Sequence, residues 1–307
     1  MPDGLRVGRD GAGLAGRVGG APISWGVCEA PDWGYELGPE VVLAEMAQVG
    51  LRATELGPTG YLGEDPAEVR SRLGSQGLRL IGGFLPVPMH VDPALDLREA
   101  EAAIGTLAAG GGEVVVLAAR SADGSYDRKV PLDDAEWGTL LVNLKRLEDL
   151  AREHGLTPTL HPHVGTAIEG RAAVLRLLDS SDVALCLDTG HLVIGGTDPL
   201  ELVRTAAERV AHVHLKDVRL PVAAKVAAGD VSYIGAVREG LYAPLGDGDL
   251  DIAGIVDELE AAGYQGWYVL EQDCALFGPP EPGAGPGADV RRSIEFLTAS
   301  HAARRQR

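Results

Sequence analysis

The sequence predicts a single closed (β/α)8 TIM barrel, and three observations lead there. Short apolar or β-branched runs alternate with longer amphipathic ones along almost the whole chain of 307 residues. No hairpin signal separates the runs, so consecutive strands are expected to be parallel and joined by right-handed crossovers. The length also suits one barrel of about 250 residues with short extensions.

The elements follow in order. Residues 21–26 read as the first strand, with a helix opening at Pro39 on the spacing of Val41, Val42, Leu43, Met46 and Val49. Residues 51–56 form the second strand and 66–76 the second helix. Strands at 78–84 and 113–118 flank an alanine-rich helix at 96–109, and an aspartate pair at 133–134 caps a long helix ending at Glu153. The second half repeats the rhythm, with strands at 157–161, 183–188, 210–215 and 266–271 and helices at 170–178, 198–208, 251–262 and 289–300. Residues 217–250 are too long for an idle connection and predict a wall or lid with local helix.

The ends of the chain are assigned separately: residues 1–20 as a flexible, glycine-rich arm, 21–303 as the barrel, and 304–307 as a charged tail. Gly11-Ala12-Gly13-Leu14-Ala15-Gly16 matches a dinucleotide fingerprint, but it follows a polar segment and runs into Arg17-Val18-Gly19-Gly20 rather than opening a helix after a strand. It is read as part of the arm.

Composition removes whole classes of function. A net charge of −18 argues against nucleic acid, whose phosphates demand a basic face, and against a barrel nuclease. Three cysteines far apart give no disulfide framework. No apolar run reaches the length needed to span a bilayer, and no secretory h-region is read, so a cytoplasmic enzyme is expected. A small-molecule ligand and a possible homo-oligomer are the remaining partners.

In a parallel barrel, the C-terminal strand ends converge on one mouth. Four consecutive strands close there on His161, Asp188, His214 and Glu271. Two imidazoles and two carboxylates make a mixed nitrogen and oxygen set suited to Mn²⁺ or Co²⁺, with Zn²⁺, Fe²⁺ and Mg²⁺ also admissible. His212 points inward one layer deeper and reads as structural. His163, His191 and Lys216 crowd the same mouth and join Glu271 as candidates for proton transfer or for positioning oxygens. Trp25, Glu55, His90, Asp217 and Arg219 are expected to bind substrate, with Trp33, Tyr35 and Phe84 offering an apolar wall.

Several of these segments carry a family resemblance. Ile23-Ser24-Trp25-Gly26, Thr54-Glu55-Leu56-Gly57, His161-Pro162-His163-Val164-Gly165-Thr166, Asp188-Thr189-Gly190-His191, His212-Val213-His214-Leu215-Lys216-Asp217 and Gly246-Asp247-Gly248-Asp249-Leu250 resemble the xylose-isomerase-like TIM-barrel superfamily. Within it they look most like the inosose dehydratases, which act on 2-keto-myo-inositol in inositol catabolism. The resemblance implies metal ligands at His161, Asp188, His214 and Glu271, the set that the strand ends gave. It also implies a carbon–oxygen lyase that removes water from a cyclic keto-polyol. Many isomerases and epimerases of this superfamily carry a glutamate where His161 stands, so a paired-carboxylate epimerisation is disfavoured. A ketose isomerase or epimerase, a 3-keto-glycoside lyase and a metal-free sugar-binding barrel remain the alternatives.

Overall fold

The computed structural model describes residues 14–281 and 284–304. Eight parallel strands close into a barrel: β1 Val18–Gly20, β2 Ala53–Glu55, β3 Arg79–Pro86, β4 Val114–Ala118, β5 Thr157–Leu160, β6 Ala184–Asp188, β7 Val210–Leu215 and, closing against β1, β10 Tyr268–Leu270. The helices that return the chain are α1 Pro39–Gln48, α2 Pro66–Ser75, α3 Arg98–Ala109, α4 Asp134–Glu153, α5 Arg171–Ser180, α7 Pro199–Ala206, α10 Ile252–Ala261 and α11 Pro286–Arg304. Among the described residues, no helix is long and apolar enough to cross a membrane.

Strand alternation sorts the side chains into two shells. Val115 and Leu117 of β4, Leu185 and Leu187 of β6, Val213 and Leu215 of β7 and Leu270 of β10 face the helices and join the main core. Their neighbours point into the barrel, where Ala53, Ile81, Trp267 and Val269 pack together and Val114, Val116 and Cys186 form a second cluster. The same period of two carries inward the residues that follow along each strand, and they are polar: His161, Asp188, His214 and Glu271. Apolar packing thus holds the inner end of each strand, and ionisable groups gather at the other.

Helix termini follow the chemistry of the sequence. Asp133 caps α4 by accepting from the amides of Ala135 and Glu136, both at 2.9 Å, while the Glu136 carboxylate accepts from the Asp133 amide at 2.9 Å.

The start of the chain differs from the sequence reading. The first strand is β1, upstream of 21–26, and residues Pro22–Trp25 instead form a 3-10 turn. Proline has no N–H to give a ladder, and the Ser24 amide bonds back to Ala21 O at 3.1 Å. The barrel therefore begins inside the segment assigned to the arm. Arg17 is buried there, donating to Tyr264 O at 2.9 Å and pairing with Glu260 at 2.6 Å. Residues 1–13 of that arm lie outside the described residues. The glycine motif's last residues sit in the turn Leu14–Arg17, which leads into β1. At the other end α11 runs through Arg304, and 305–307 of the predicted tail lie outside the described residues.

Residues 217–250 form a wall, as their length suggested. Two-residue strands β8 Asp217–Val218 and β9 Tyr242–Ala243 pair antiparallel, enclosing α8 Leu220–Ala228 and α9 Tyr233–Arg238; a further short helix, α6 Thr189–Ile194, follows β6. Asp217 ties the segment together. Its fully buried carboxylate accepts from the amides of Val218 (2.9 Å), Gly246 (2.8 Å), Gly248 (3.1 Å) and Leu250 (3.1 Å). Asp217→Ala strands these amides and is expected to cost at least about 3 kcal/mol, since each unsatisfied buried donor costs about 1–3 kcal/mol. Thermal denaturation should show a midpoint lower by about 6 °C or more, at roughly 2 °C per kcal/mol for a chain of this size.

Candidate active site

The mouth of the barrel opens on a cavity of about 160 Å³. Its polar side is lined by Glu55, His161, His163, His191, His214, Lys216, Glu271 and Asp273, and its apolar side includes Ile23, Val27, Trp33, Pro58 and Phe84.

Asp188 sits at the centre. One carboxylate oxygen, Oδ1, caps α6 by accepting from the amides of Gly190 (2.9 Å) and His191 (2.8 Å). The other, Oδ2, is buried and meets no hydrogen-bond donor. Thr189 holds the next strand in place through bonds in both directions, its hydroxyl donating to Lys216 O at 2.6 Å and accepting from Lys216 N at 2.8 Å. Gly190 must be glycine for this approach, because a Cβ would lie 2.8 Å from the Tyr242 ring and 2.9 Å from Lys216 Cβ. The Asp-Thr-Gly-His and His-x-Lys-Asp segments are therefore two sides of one contact.

Two histidines turn a ring nitrogen toward Asp188 Oδ2. His161 Nδ1 lies 2.8 Å from Pro162 O, and a carbonyl can only accept, so the proton is on Nδ1 and the Nε2 lone pair faces Oδ2 at 3.5 Å. His214 Nε2 donates to Glu55 Oε1 at 3.2 Å, leaving Nδ1 without a hydrogen-bond partner, 3.6 Å from Asp188 Oδ2 and 3.1 Å from Glu271 Oε2. Glu55 also accepts from His212 Nε2 at 2.7 Å. His212 is fully buried and supports the site from beneath, as expected of it.

Charge at this end is unbalanced. Asp188, Glu55, Glu271 and Asp273 are buried carboxylates, and Lys216 is the ammonium among them. Burial works against a charge on Lys216, but Asp273, Glu271 and Asp188 overcome it and hold its pKa well above the ordinary lysine value. Burial likewise opposes charge on Glu271, and His214 with Lys216 pulls it below the usual carboxylate range. His214 is driven the other way from most buried imidazoles. The Cys186 sulfur, Glu271 and Glu55 outweigh its burial and raise its pKa well above the ordinary value. A site that pulls in a proton this strongly has negative charge to spare for a cation.

The second pair of imidazoles is electrically quiet. Burial, reinforced by His161, lowers His163 to about 3, and burial with His163 takes His191 well below the ordinary value. Their rings stack with centroids 3.7 Å apart. His163 Nδ1 donates to Val164 O at 2.7 Å, which leaves the Nε2 lone pair free.

The structure brings together most of the sequence-selected residues and places five elsewhere. Asp188, His214 and Glu271 form one compact donor group, and His161 joins Asp188 and His191 in another and Cys186 and His214 in a third. Trp25 does not line the cavity: the 3-10 turn buries it outward, where Nε1 donates to Glu45 at 2.8 Å. Asp217 is committed to the four amides above. Arg219 donates to the carbonyls of Gly240 (2.6 Å) and Tyr242 (3.0 Å), bracing β8 against β9. His90 lies in the connection after β3 and is not part of the cavity lining. Tyr35 is half exposed and also absent from the lining, while Trp33 and Phe84 belong to it.

Sequence reasoning missed Asp273, Tyr126 and Tyr233. Asp273 carried a signal, since it stands two residues past Glu271, as His163 stands past His161. Tyr126 and Tyr233 arrive from long connections without periodicity. Tyr126 is fitted against Gly165, whose φ of 74° and absent Cβ allow the approach; a Cβ there would lie 2.4 Å from Tyr126 Cα.

The chain belongs to the xylose isomerase-like TIM barrel family, whose model matches residues 43–299. It is 34% identical over 278 residues to the inosose dehydratase of Geobacillus thermodenitrificans, covering 86% of this chain and 93% of that one. To the inosose dehydratase of Lacticaseibacillus casei it is 33% identical over 280 residues, covering 86% and 92%. Among solved structures, an L-ribulose 3-epimerase shares the fold with a TM-score of 0.69 at 19% identity, covering 94% of this chain and 96% of that one. The IOLI protein with a bound zinc atom shares it at 0.65 and 13% identity, covering 92% and 97%.

A divalent ion should stabilise the fold. In protein stripped with chelator, Mn²⁺ or Co²⁺ at a hundred times its Kd is expected to add about 2.7 kcal/mol, seen as a higher melting temperature. Asp188→Ala should abolish that rise.

Proposed function

We propose that this chain is a divalent-metal-dependent dehydratase that eliminates water from a cyclic 2-keto polyol such as scyllo-inosose, passing through the enol. The carrying observation is the bare Asp188 Oδ2, faced by the lone pair of His161 Nε2 and by the unpartnered His214 Nδ1. Buried donor atoms turned on one another at 3.1–3.6 Å, beside carboxylates that already draw positive charge onto His214 and Lys216, fit a cation. The similarity to inosose dehydratases over most of both chains supports the choice of reaction.

The ion would be held by His161, Asp188, His214 and Glu271. When bound, it supplies the positive charge that stabilises the oxygen of a ketone as the neighbouring proton leaves. Mn²⁺ and Co²⁺ suit the mixed donor set, and Zn²⁺, Fe²⁺ and Mg²⁺ are the alternatives.

The protein's own groups stand in usable protonation states. Glu271 is ionised and His163 Nε2 is unprotonated, so both can take the α proton. Lys216 is an ammonium and can give a proton to the departing hydroxyl. The carbon–hydrogen pair then becomes the new double bond, the carbon–oxygen bond breaks, and the leaving group departs as water. His191 approaches Lys216 at 3.4 Å and helps to fix it. Phe84, Trp33 and Ile23 exclude water from one side of the ring.

Inosose incubated with the protein and Mn²⁺ or Co²⁺ should yield the diketone left by loss of one water, followed by the ultraviolet absorbance of its enol tautomer. Absence of turnover with any divalent ion would reject the reading. Lys216→Met and His163→Gln should lower kcat by about 10²–10⁴, the usual yield of a positioned acid or base. In deuterated water, exchange at one carbon without loss of water would favour an epimerase instead.

A further inference from the structure

The Lys216 ammonium lies 3.0 Å from Glu271 Oε2 and 3.6 Å from Asp188 Oδ2, two of the oxygens assigned above to the cation. A lysine so placed can neutralise the same carboxylates and compete for them. One acceptor outside that set, Asp273, draws it aside. Its Nζ pairs closely with Asp273 Oδ1 and approaches His191 Nε2 at 3.4 Å. Of its three N–H bonds, one goes to Asp273 and one faces Glu271.

Asp273 is itself anchored. It is buried, and its second oxygen accepts from the Tyr233 hydroxyl at 2.7 Å, with the Tyr242 hydroxyl 3.0 Å from that of Tyr233. Both tyrosines come from the wall outside the barrel, and the Tyr242 ring lies 5.3 Å from Lys216 Nζ. The carboxylate that faces Lys216 is thus fixed from behind by a separate part of the chain.

We propose that Asp273 is a positioning residue that shares the Lys216 ammonium with Glu271 and so weakens its hold on the cation's carboxylates, letting one side chain serve as the acid without displacing the ion. The inference rests on the metal-dependent reading above. Its consequence is a specific coupling: the effect of Asp273 on metal affinity passes through Lys216.

The test is a double-mutant cycle on Mn²⁺ affinity, measured by titration calorimetry on the full chain. Asp273→Asn should weaken Mn²⁺ about tenfold or more, the size expected when a supporting contact around a metal is lost. Lys216→Met should tighten it. In the Lys216→Met background, Asp273→Asn should cost only about twofold, the residue of losing one negative charge nearby. Equal losses in both backgrounds would mean simple electrostatics and overturn the proposal. Asp273→Glu, which keeps the carboxylate, should recover most of the affinity, and thermal melts of each variant establish that it folds. The outcomes separate cleanly. Coupling present but no turnover of inosose removes the dehydratase reading and leaves this one standing; normal turnover with additive losses does the reverse. A wild-type chain that binds no divalent ion overturns both.

Discussion

The Asp188 carboxylate works in two directions at once. Through Oδ1 it gives the first turn of α6 the acceptor that its free amides require, which fixes the path of the chain immediately after β6. That path sets Thr189 against the Lys216 backbone and brings His191 over the cavity. With one oxygen so committed, the other has a fixed direction and cannot rotate away from its neighbours. A side chain satisfied on one edge and bare on the other is a rigid ligand, and His161, His214 and Lys216 are arranged around it.

Support for that arrangement comes in layers. Glu55 accepts from both His212 and His214, so the tautomer of His214 is settled by a carboxylate on a strand at the opposite side of the barrel. Pro162 O does the same for His161. Such contacts decide which nitrogen faces inward, and they do so before any ligand arrives. The apolar barrel floor beneath, with Trp267, Ile81 and Val269, keeps these groups in a medium where their charges are felt strongly.

Much of this was legible in the sequence because it depends on local rules. Strand period and the convergence of parallel strands suffice to place His161, Asp188, His214 and Glu271 together, and a helix cap is visible in the Asp133-Asp134 pair. The lapses have physical reasons as well. Trp25 looked like a strand end because Pro22 was counted within a strand, whereas its missing amide makes the segment turn. Asp217 and Arg219 sit beside the site in sequence, but what they satisfy is backbone, and the need of distant amides for an acceptor leaves no mark near either residue. Tyr126 enters from an irregular connection and Tyr233 from the first residue of the six-residue helix α9, where no long period links position to direction. The general fold is shared with an L-ribulose 3-epimerase.

The knot at Asp217 separates two kinds of sequence. Downstream of it the chain leaves the barrel, builds α8 and α9, and returns through β9 to the same carboxylate's amide partners. Because both ends of that excursion are clamped within a few ångströms of each other, residues 219–243 form a replaceable cassette. Evolution, or an engineer, can exchange it to reshape the pocket wall and the groups behind Lys216 while the eight-stranded frame keeps its geometry.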